Sequence, residues 1–187
     1  PNLAAWYSAM DKVPVYACRV KGDASSWRKV LTMAGFGNAG LPPIINENMQ
    51  KLKDKELEEA KKCINQDIWT QYAADRPYVA DTPAAEAARI ICQNRRAITI
   101  DTTKQSTSNR NWKGSNLPDT DDEVDETLRE MVDVLLNEDY DLLTNDSRRR
   151  VGALATFLDE RMCVPRDTGC MSAAAIKVLA WNLATFN

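Results

Sequence analysis

Apolar residues recur at intervals of three and four through most of the chain, without any strand–helix–strand pattern. The clearest helix follows a capping box, Thr120-Asp121-Asp122-Glu123, whose acidic residues also suit a helix N-terminus. Its predicted core positions are Val124, Leu128, Met131, Val132, Leu135 and Leu136. Another predicted helix starts at Arg148-Arg149-Arg150 and buries Val151, Leu154, Ala155 and Leu158. These patterns predict an all-α protein, an irregular bundle of about 6–8 helices.

Four more helices are predicted before residue 101. In chain order they are predicted over Leu3–Met10, Trp27–Met33, Asn46–Ala74 with a break near Asp54, and Ala84 to about Ile100. Val13-Pro14 should end the first, and Thr82-Pro83 should open the last as N-cap and first helical residue. Gly35, Gly37 and Gly40 spell GxGxxG, but they follow a predicted helix and run into prolines, which argues against nucleotide binding.

Residues 101–118 are polar, and this segment is predicted to be an arm or linker. Either Trp112 packs back onto the body, or the segment is an extended arm that lies along a partner. In the second case Arg110, Trp112 and Lys113 are the candidate partner contacts, and Arg148 and Arg149 join them. Basic residues in a first helical turn oppose the helix dipole, so the arginines should have an acidic partner. The neighbouring acidic helix is one candidate, and a phosphate ligand is the other.

Composition excludes several kinds of chemistry. The chain has 187 residues, 44% of them hydrophobic, and a net charge of -3, which gives little reason to expect binding to nucleic acid or anionic lipid. Histidine is absent, which rules out an imidazole base, a Ser–His or Cys–His pair and a His-ligated metal. The acidic stretch from Asp119 to Asp141 lacks the ligand spacing of a calcium loop. We therefore predict no metal site.

The five cysteines, Cys18, Cys63, Cys92, Cys163 and Cys170, are scattered and contain no CxxC, which argues against a disulfide framework. Cys18, Cys63 and Cys92 lie in helical patterns, so we expect them to be buried, reduced thiols in a reducing compartment. The longest apolar stretch, from Ala173 to Phe186, is too short and too interrupted to span a bilayer, so we expect a soluble protein.

Two segments carry a family resemblance. The first reads Pro1-x-Leu-x-x-Trp-x-x-x-Met-x-x-x-Pro-x-Tyr16, and the second reads Leu158-x-x-Arg-x-x-Val-Pro-Arg-Asp167, followed by a small-residue helix that ends near Trp181. They resemble the end of the helical domain of glutathione transferases and the helical extension of plant and algal, plastid-type relatives. The resemblance covers roughly residues 1–20, 83–100 and 150–183. Val13 and Lys177-Val178 depart from it, because arginine is common there in the family.

The resemblance implies a domain organisation. Residues 1–22 would end a glutathione-transferase-like helical domain, 23–100 would be a helical extension, 101–118 the polar arm, and 119–187 a C-terminal helical part. The thioredoxin-like half that binds glutathione would lie upstream. We therefore expect no catalytic residue in this chain, and glutathione as a cofactor only of such an upstream domain.

Three functions follow as hypotheses. The first is a non-catalytic helical subunit that scaffolds or bridges other proteins in a plastid photosynthetic or antenna complex, with membrane-embedded antenna or photosystem proteins as partners. The second is the C-terminal part of an active glutathione transferase, with Trp6, Met10 and Trp27 at the floor of a substrate pocket. The third is a helical-array adaptor or a viral coat protein.

Overall fold

The structure is a computed structural model that describes residues 2–21, 46–108, 116–162, 164 and 166–184, with only the backbone of 46–53 and of 184. Its helices are α1 (Leu3–Met10), a π-helical turn (Tyr16–Val20), α2 (Asn46–Cys63), α3 (Gln66–Ala73), α4 (Pro83–Ser108), α5 (Asp121–Asn137), a 3₁₀ turn (Tyr140–Leu142), α6 (Asn145–Arg161) and α7 (Cys170–Ala184). No strand occurs in these ranges, and the all-α prediction is confirmed. The predicted helix at 27–33, the glycines at 35–40 and the residues Arg110, Trp112 and Lys113 lie outside the described residues.

The chain divides into two compact units. Unit 1 consists of residues 1–83 and 161–174, and unit 2 of residues 84–160 and 175–187. The chain therefore passes from one unit to the other three times.

One core cluster of unit 1 comes mainly from short segments. The π-helical turn, α3 and the region around residues 164–171 supply its buried side chains, which are Ala17, Cys18, Trp69, Tyr72, Val164, Cys170 and Met171. Helix α2 adds two further buried residues to unit 1, Leu57 and Ala60. The indole nitrogen of Trp69 donates a hydrogen bond to the carbonyl oxygen of Ala80, 2.9 Å away. This bond fixes the loop before α4 and satisfies a polar atom that would be costly to bury alone.

The helix predicted from Asn46 to Ala74 is broken at Asn65, not near Asp54. Asn65 has extended backbone angles, and its side chain accepts a hydrogen bond from the backbone N–H of Ile68 at 3.0 Å. Asn65 is thus the N-cap of α3, because asparagine readily satisfies the unpaired donors of a first helical turn. The prediction missed this cap because the apolar spacing continues across it.

Helix α4 begins at Pro83 as predicted, but its predicted end near Ile100 is wrong. The helix continues through 101–108, within the segment predicted to be a polar arm. Thr102 and Ser106, four positions apart, are buried there. The hydroxyl groups of Thr103 and Thr107 donate to the carbonyl oxygens of Thr99 and Thr103, respectively, so these two hydroxyl groups are satisfied by the helix backbone. The buried hydroxyl of Thr102 has no hydrogen-bond partner among the described residues.

Unit 2 has an apolar core formed by long helices. The predicted N-cap of α5 is confirmed, since the Thr120 hydroxyl accepts from the N–H of Glu123 at 3.3 Å. The Glu123 carboxylate accepts from the N–H of Asp119 at 3.4 Å, one residue before the N-cap position that a capping box uses. The buried side chains include Val124, Leu128, Met131, Leu135, Val151, Leu154, Ala155 and Leu158, all of them predicted. Leu136 and Val132 are also predicted to be buried, but Leu136 is 55% exposed and Val132 is only half-buried, because Val134 lies on the inner face in their place.

Candidate functional site: a thiol cluster and an exposed aromatic helix

Three cysteines from distant parts of the sequence meet in the core of unit 1. Cys18 lies in the π-helical turn, Cys63 is the last residue of α2, and Cys170 is the first residue of α7. The sulfur atoms of Cys63 and Cys170 are 3.5 Å apart, and no disulfide joins them. The Cys170 thiol also donates to the carbonyl oxygen of Ala17 at 2.8 Å, whereas the Cys18 thiol is 3.9 Å from the carbonyl oxygen of Ile68. We call these three residues the thiol cluster.

The surroundings of the thiol cluster favour protonated sulfur at two of its positions. Burial, followed by the charge of Cys63, raises the pKa of Cys18 from 9.0 to about 11. The hydrogen bond with Cys63, followed by burial, raises the pKa of Cys170 above its usual range. A basic residue is close by: Lys21 forms an ion pair with Asp11 at 3.0 Å. Burial lowers the pKa of Lys21, but the hydrogen bond and charge of Asp11 outweigh burial and raise it.

Sequence reasoning did not find the thiol cluster. Of the three cysteines predicted to be buried, Cys18 is buried, Cys63 is half-buried and Cys92 is exposed. Sequence reasoning assigned no role to Cys170, and Cys163 lies outside the described residues. No local motif links Cys63 to Cys170, because 107 positions separate them and only the fold brings them together. Across the described part of the chain, no group of three or more acidic, cysteine or histidine side chains is placed to hold a metal.

Helix α1 exposes an aromatic surface. It forms where predicted but has no buried residue: Leu3 is 70% exposed, and Trp6 and Tyr7 are each 50% exposed. The rings of Trp6 and Tyr7 pack edge to face with centroids 5.0 Å apart, and the ring of Tyr16 lies 6.4 Å from that of Trp6. From Asn2 to Met10 the sequence has no charged side chain. This surface is therefore apolar, ordered and open.

The candidate arginines of α6 differ in their surroundings. Arg148 donates to the carbonyl oxygen of Tyr140 at 2.9 Å and to that of Leu143 at 3.3 Å, so it fastens the 3₁₀ turn to the start of α6. Arg149 is exposed. Contact of either residue with a partner stays a prediction.

Arg150 confirms the expected acidic partner. Its guanidinium lies 3.9 Å from carboxylate oxygens of both Glu126 and Glu130 on the acidic helix α5. It also forms an ion pair with Asp146 one turn earlier in α6. The helix begins at Asn145, three residues before its predicted start at Arg148. Arg150 therefore lies beyond the first helical turn, where the helix dipole opposes a cation little.

The turn before α7 also contains an ion pair. The guanidinium of Arg166 binds both carboxylate oxygens of Asp167, at 3.0 and 3.1 Å. Both residues are exposed, so this pair contributes little to stability.

Helices that could cross a bilayer are lacking among the residues that the structure describes. Comparison of the chain with protein-family models, with curated proteins and with solved structures finds no match in any of the three. The thiol cluster and the exposed surface of α1 are thus the two candidate functional features of the described residues.

Proposed function

We propose that this chain is a non-catalytic helical subunit that binds another protein through α1. The observation that carries the proposal is the exposed surface of Leu3, Trp6 and Tyr7 on a helix without a buried residue. Ordered, contiguous apolar surface of this kind is typical of interaction sites. Tryptophan and tyrosine are also enriched among the residues that dominate binding energy.

The length of α1 supports the same proposal. An isolated helix of eight residues is marginal in water, because the first turn is costly to form and few hydrogen bonds follow. An apolar groove on a partner protein would bury one face of α1 and supply the missing stabilisation. Since α1 has no charged side chain, the binding should depend on apolar burial and should persist at about 1 M salt, where surface charges are screened.

The wider assignment rests on the family resemblance. We propose a glutathione-transferase-like subunit that scaffolds or bridges proteins of a plastid photosynthetic or antenna complex, including membrane-embedded antenna or photosystem proteins. The test is the size of the complex that the tagged full chain forms in cells of its source organism. Leu3→Glu and Trp6→Glu place a charge on the surface of α1, whereas Tyr78→Glu places one on an unrelated side chain that is 86% exposed.

The proposal expects the unaltered chain and the Tyr78→Glu variant to migrate with a larger complex. The two α1 variants should migrate at the size of the single chain, with unchanged unfolding midpoints. If the α1 variants stay in the complex, or if the unaltered chain migrates alone, binding through α1 is rejected.

The same exposed surface also supports a second candidate, the C-terminal part of an active glutathione transferase. There α1 would pack against a thioredoxin-like half of the same polypeptide. The full-length transcript distinguishes the two candidates, because the second requires a glutathione-binding domain upstream. Robust glutathione conjugation by the present chain alone would reject the non-catalytic proposal.

A further inference from the structure

We propose that Cys63 and Cys170 form a reversible disulfide when the protein meets a small peroxide. Their sulfur atoms are 3.5 Å apart, and a disulfide bond needs about 2.0 Å, so the sulfurs must approach by about 1.5 Å. Each residue lies at a helix end, where fewer hydrogen bonds hold the backbone than in a helix interior. Modest rotation of the two side chains and a small shift of these ends can therefore close the gap. The proposal is independent of partner binding by α1.

The two sulfur atoms differ in solvent accessibility, and this difference sets which one reacts with peroxide first. Cys63 is half-buried, whereas Cys170 is 6% exposed. A peroxide in solvent therefore reaches Cys63 first. In the first step the Cys63 sulfur attacks one peroxide oxygen, the O–O bond breaks, and a sulfenic acid and one water form.

The second step uses Cys170 as the resolving thiol. Its sulfur attacks the sulfur of the Cys63 sulfenic acid, the S–O bond breaks, and the hydroxide leaves with the Cys170 proton as water. In sum, two thiols and one hydrogen peroxide give one disulfide and two waters. The two sulfurs lose two electrons, and the peroxide oxygens gain them.

Cys18 remains a thiol during these steps. It is fully buried, and its thiol is directed to the carbonyl oxygen of Ile68 and not to another sulfur. Burial also raises the pKa of Cys18, so little of the reactive thiolate is present near neutral pH. The thiol cluster thus contains one accessible thiol, one resolving thiol and one bystander.

The disulfide should be easy to reduce. In the reduced state the Cys170 thiol donates to the carbonyl oxygen of Ala17, and oxidation removes the proton of this hydrogen bond. Losing a donor to a buried carbonyl destabilises the oxidised state relative to the reduced one. Disulfides whose formation is opposed in this way are the labile ones, which fits a reversible modification.

Tryptic digestion can map the proposed disulfide directly, because cleavage after Lys and Arg places the five cysteines on five different peptides. These are residues 13–19, 63–89, 90–95, 162–166 and 167–177. The full chain is treated with hydrogen peroxide, quenched with an alkylating reagent in denaturant, digested and analysed by mass spectrometry. The proposal expects one cross-linked species, 63–89 joined to 167–177 with the loss of two hydrogen atoms, which dithiothreitol removes. A different linked pair, Cys63 oxidised only to sulfinic or sulfonic acid, or no reaction overturns it.

Variants separate the roles of the two thiols. In Cys170→Ser the sulfenic acid of Cys63 has no resolving partner, so labelling of peptide 63–89 by dimedone should rise several-fold while the cross-linked species disappears. In Cys63→Ser no cross-link to peptide 167–177 should form. Cys92→Ser, at an exposed cysteine of unit 2, should behave as the unaltered chain. Unchanged dimedone labelling of peptide 63–89 in Cys170→Ser contradicts the proposal, and the map of the unaltered chain tests it even if a variant fails to fold.

Discussion

In unit 2 the buried side chains come from long amphipathic helices, whereas the core cluster around the thiols of unit 1 comes mainly from short segments far apart in the sequence. Helices α5 and α6 bury aliphatic side chains at regular intervals, and their polar groups are paired near their ends. Unit 1 buries thiols, an indole and a phenol, and two of these side chains, Trp69 and Cys170, donate hydrogen bonds to backbone carbonyl oxygens. Unit 1 also contains both candidate functional features. The two units therefore differ in what they bury, aliphatic side chains at regular spacing in unit 2 and polar aromatic and thiol side chains around the cluster in unit 1.

The largest expected effect is the loss of a core side chain of unit 2. Leu154 of α6 is fully buried, so Leu154→Ala should lower the free energy of unfolding by about 2–5 kcal/mol, from lost burial and the cavity left behind. Urea titration followed by circular dichroism measures it. Leu136→Ala is the control, because this exposed leucine should change stability by no more than about 0.5 kcal/mol. Equal effects would mean that α5 and α6 pack through other faces.

The irregular core of unit 1 should respond to pH. The pKa of Cys18 is raised from 9.0 to about 11, so between these values the folded chain keeps a proton that the unfolded chain releases. The contribution of Cys18 to the free energy of unfolding is fully present below pH 9 and falls by about 2–3 kcal/mol as the pH rises toward 11. Unfolding of the unaltered chain and of Cys18→Ala across this pH range measures it. The variant should show a smaller fall, and identical slopes would show that Cys18 ionises as easily in the folded state.

Loss of the buried, hydrogen-bonded indole in unit 1 should lower the free energy of unfolding more than loss of an exposed indole. Trp69→Phe keeps an aromatic ring but leaves the Ala80 carbonyl without the indole donor, so it should cost about 1–3 kcal/mol. Trp6→Phe, on the exposed surface of α1, should cost less than about 0.5 kcal/mol in the isolated chain. Thermal or urea unfolding compares the two. A costly Trp6→Phe would mean that α1 packs against the body of unit 1.

Two glycines lie where an added Cβ atom would be crowded, and the crowding is tighter at Gly169 in unit 1 than at Gly152 in unit 2. A Cβ atom at Gly169 would lie 2.7 Å from the carbonyl oxygen of Cys18, so Gly169→Ala should cost about 1–3 kcal/mol. At Gly152 of α6 the nearest atom would be the Cβ of Leu183 at 3.1 Å, and the higher helix propensity of alanine offsets part of that crowding. Gly152→Ala should therefore be the milder change in unfolding experiments. The reverse order would show that the chain near Cys18 moves easily.

The smallest effect concerns the cap of α5. Thr120→Ala removes the acceptor for the N–H of Glu123 and should cost about 1 kcal/mol, whereas Thr120→Ser keeps the hydroxyl and should restore most of it. Unfolding midpoints of the two variants give the comparison. If both variants are equally stable, the exposed hydrogen bond contributes nothing measurable.

The sequence allowed prediction of the features that depend on local spacing. The all-α class, the start of α4, the N-cap at Thr120 and most of the core of α5 and α6 follow from periodicity and from capping chemistry. The break at Asn65 was missed because the apolar spacing continues across it, and the continuation of α4 to Ser108 was missed because Thr102 and Ser106 are buried despite the polar composition of this segment. The contact of Cys63 with Cys170 could not be predicted, since no local signal encodes a pairing across 107 positions.

The most direct test of the account is amide hydrogen exchange of α1 in two states, the isolated chain and the complex purified from cells of the source organism. If α1 is the binding surface, the amides of Leu3–Met10 should exchange at least tenfold more slowly in the complex, while those of α5 stay unchanged. Equal exchange of α1 in both states, with protection elsewhere, would contradict the central claim that this exposed aromatic helix binds the partner.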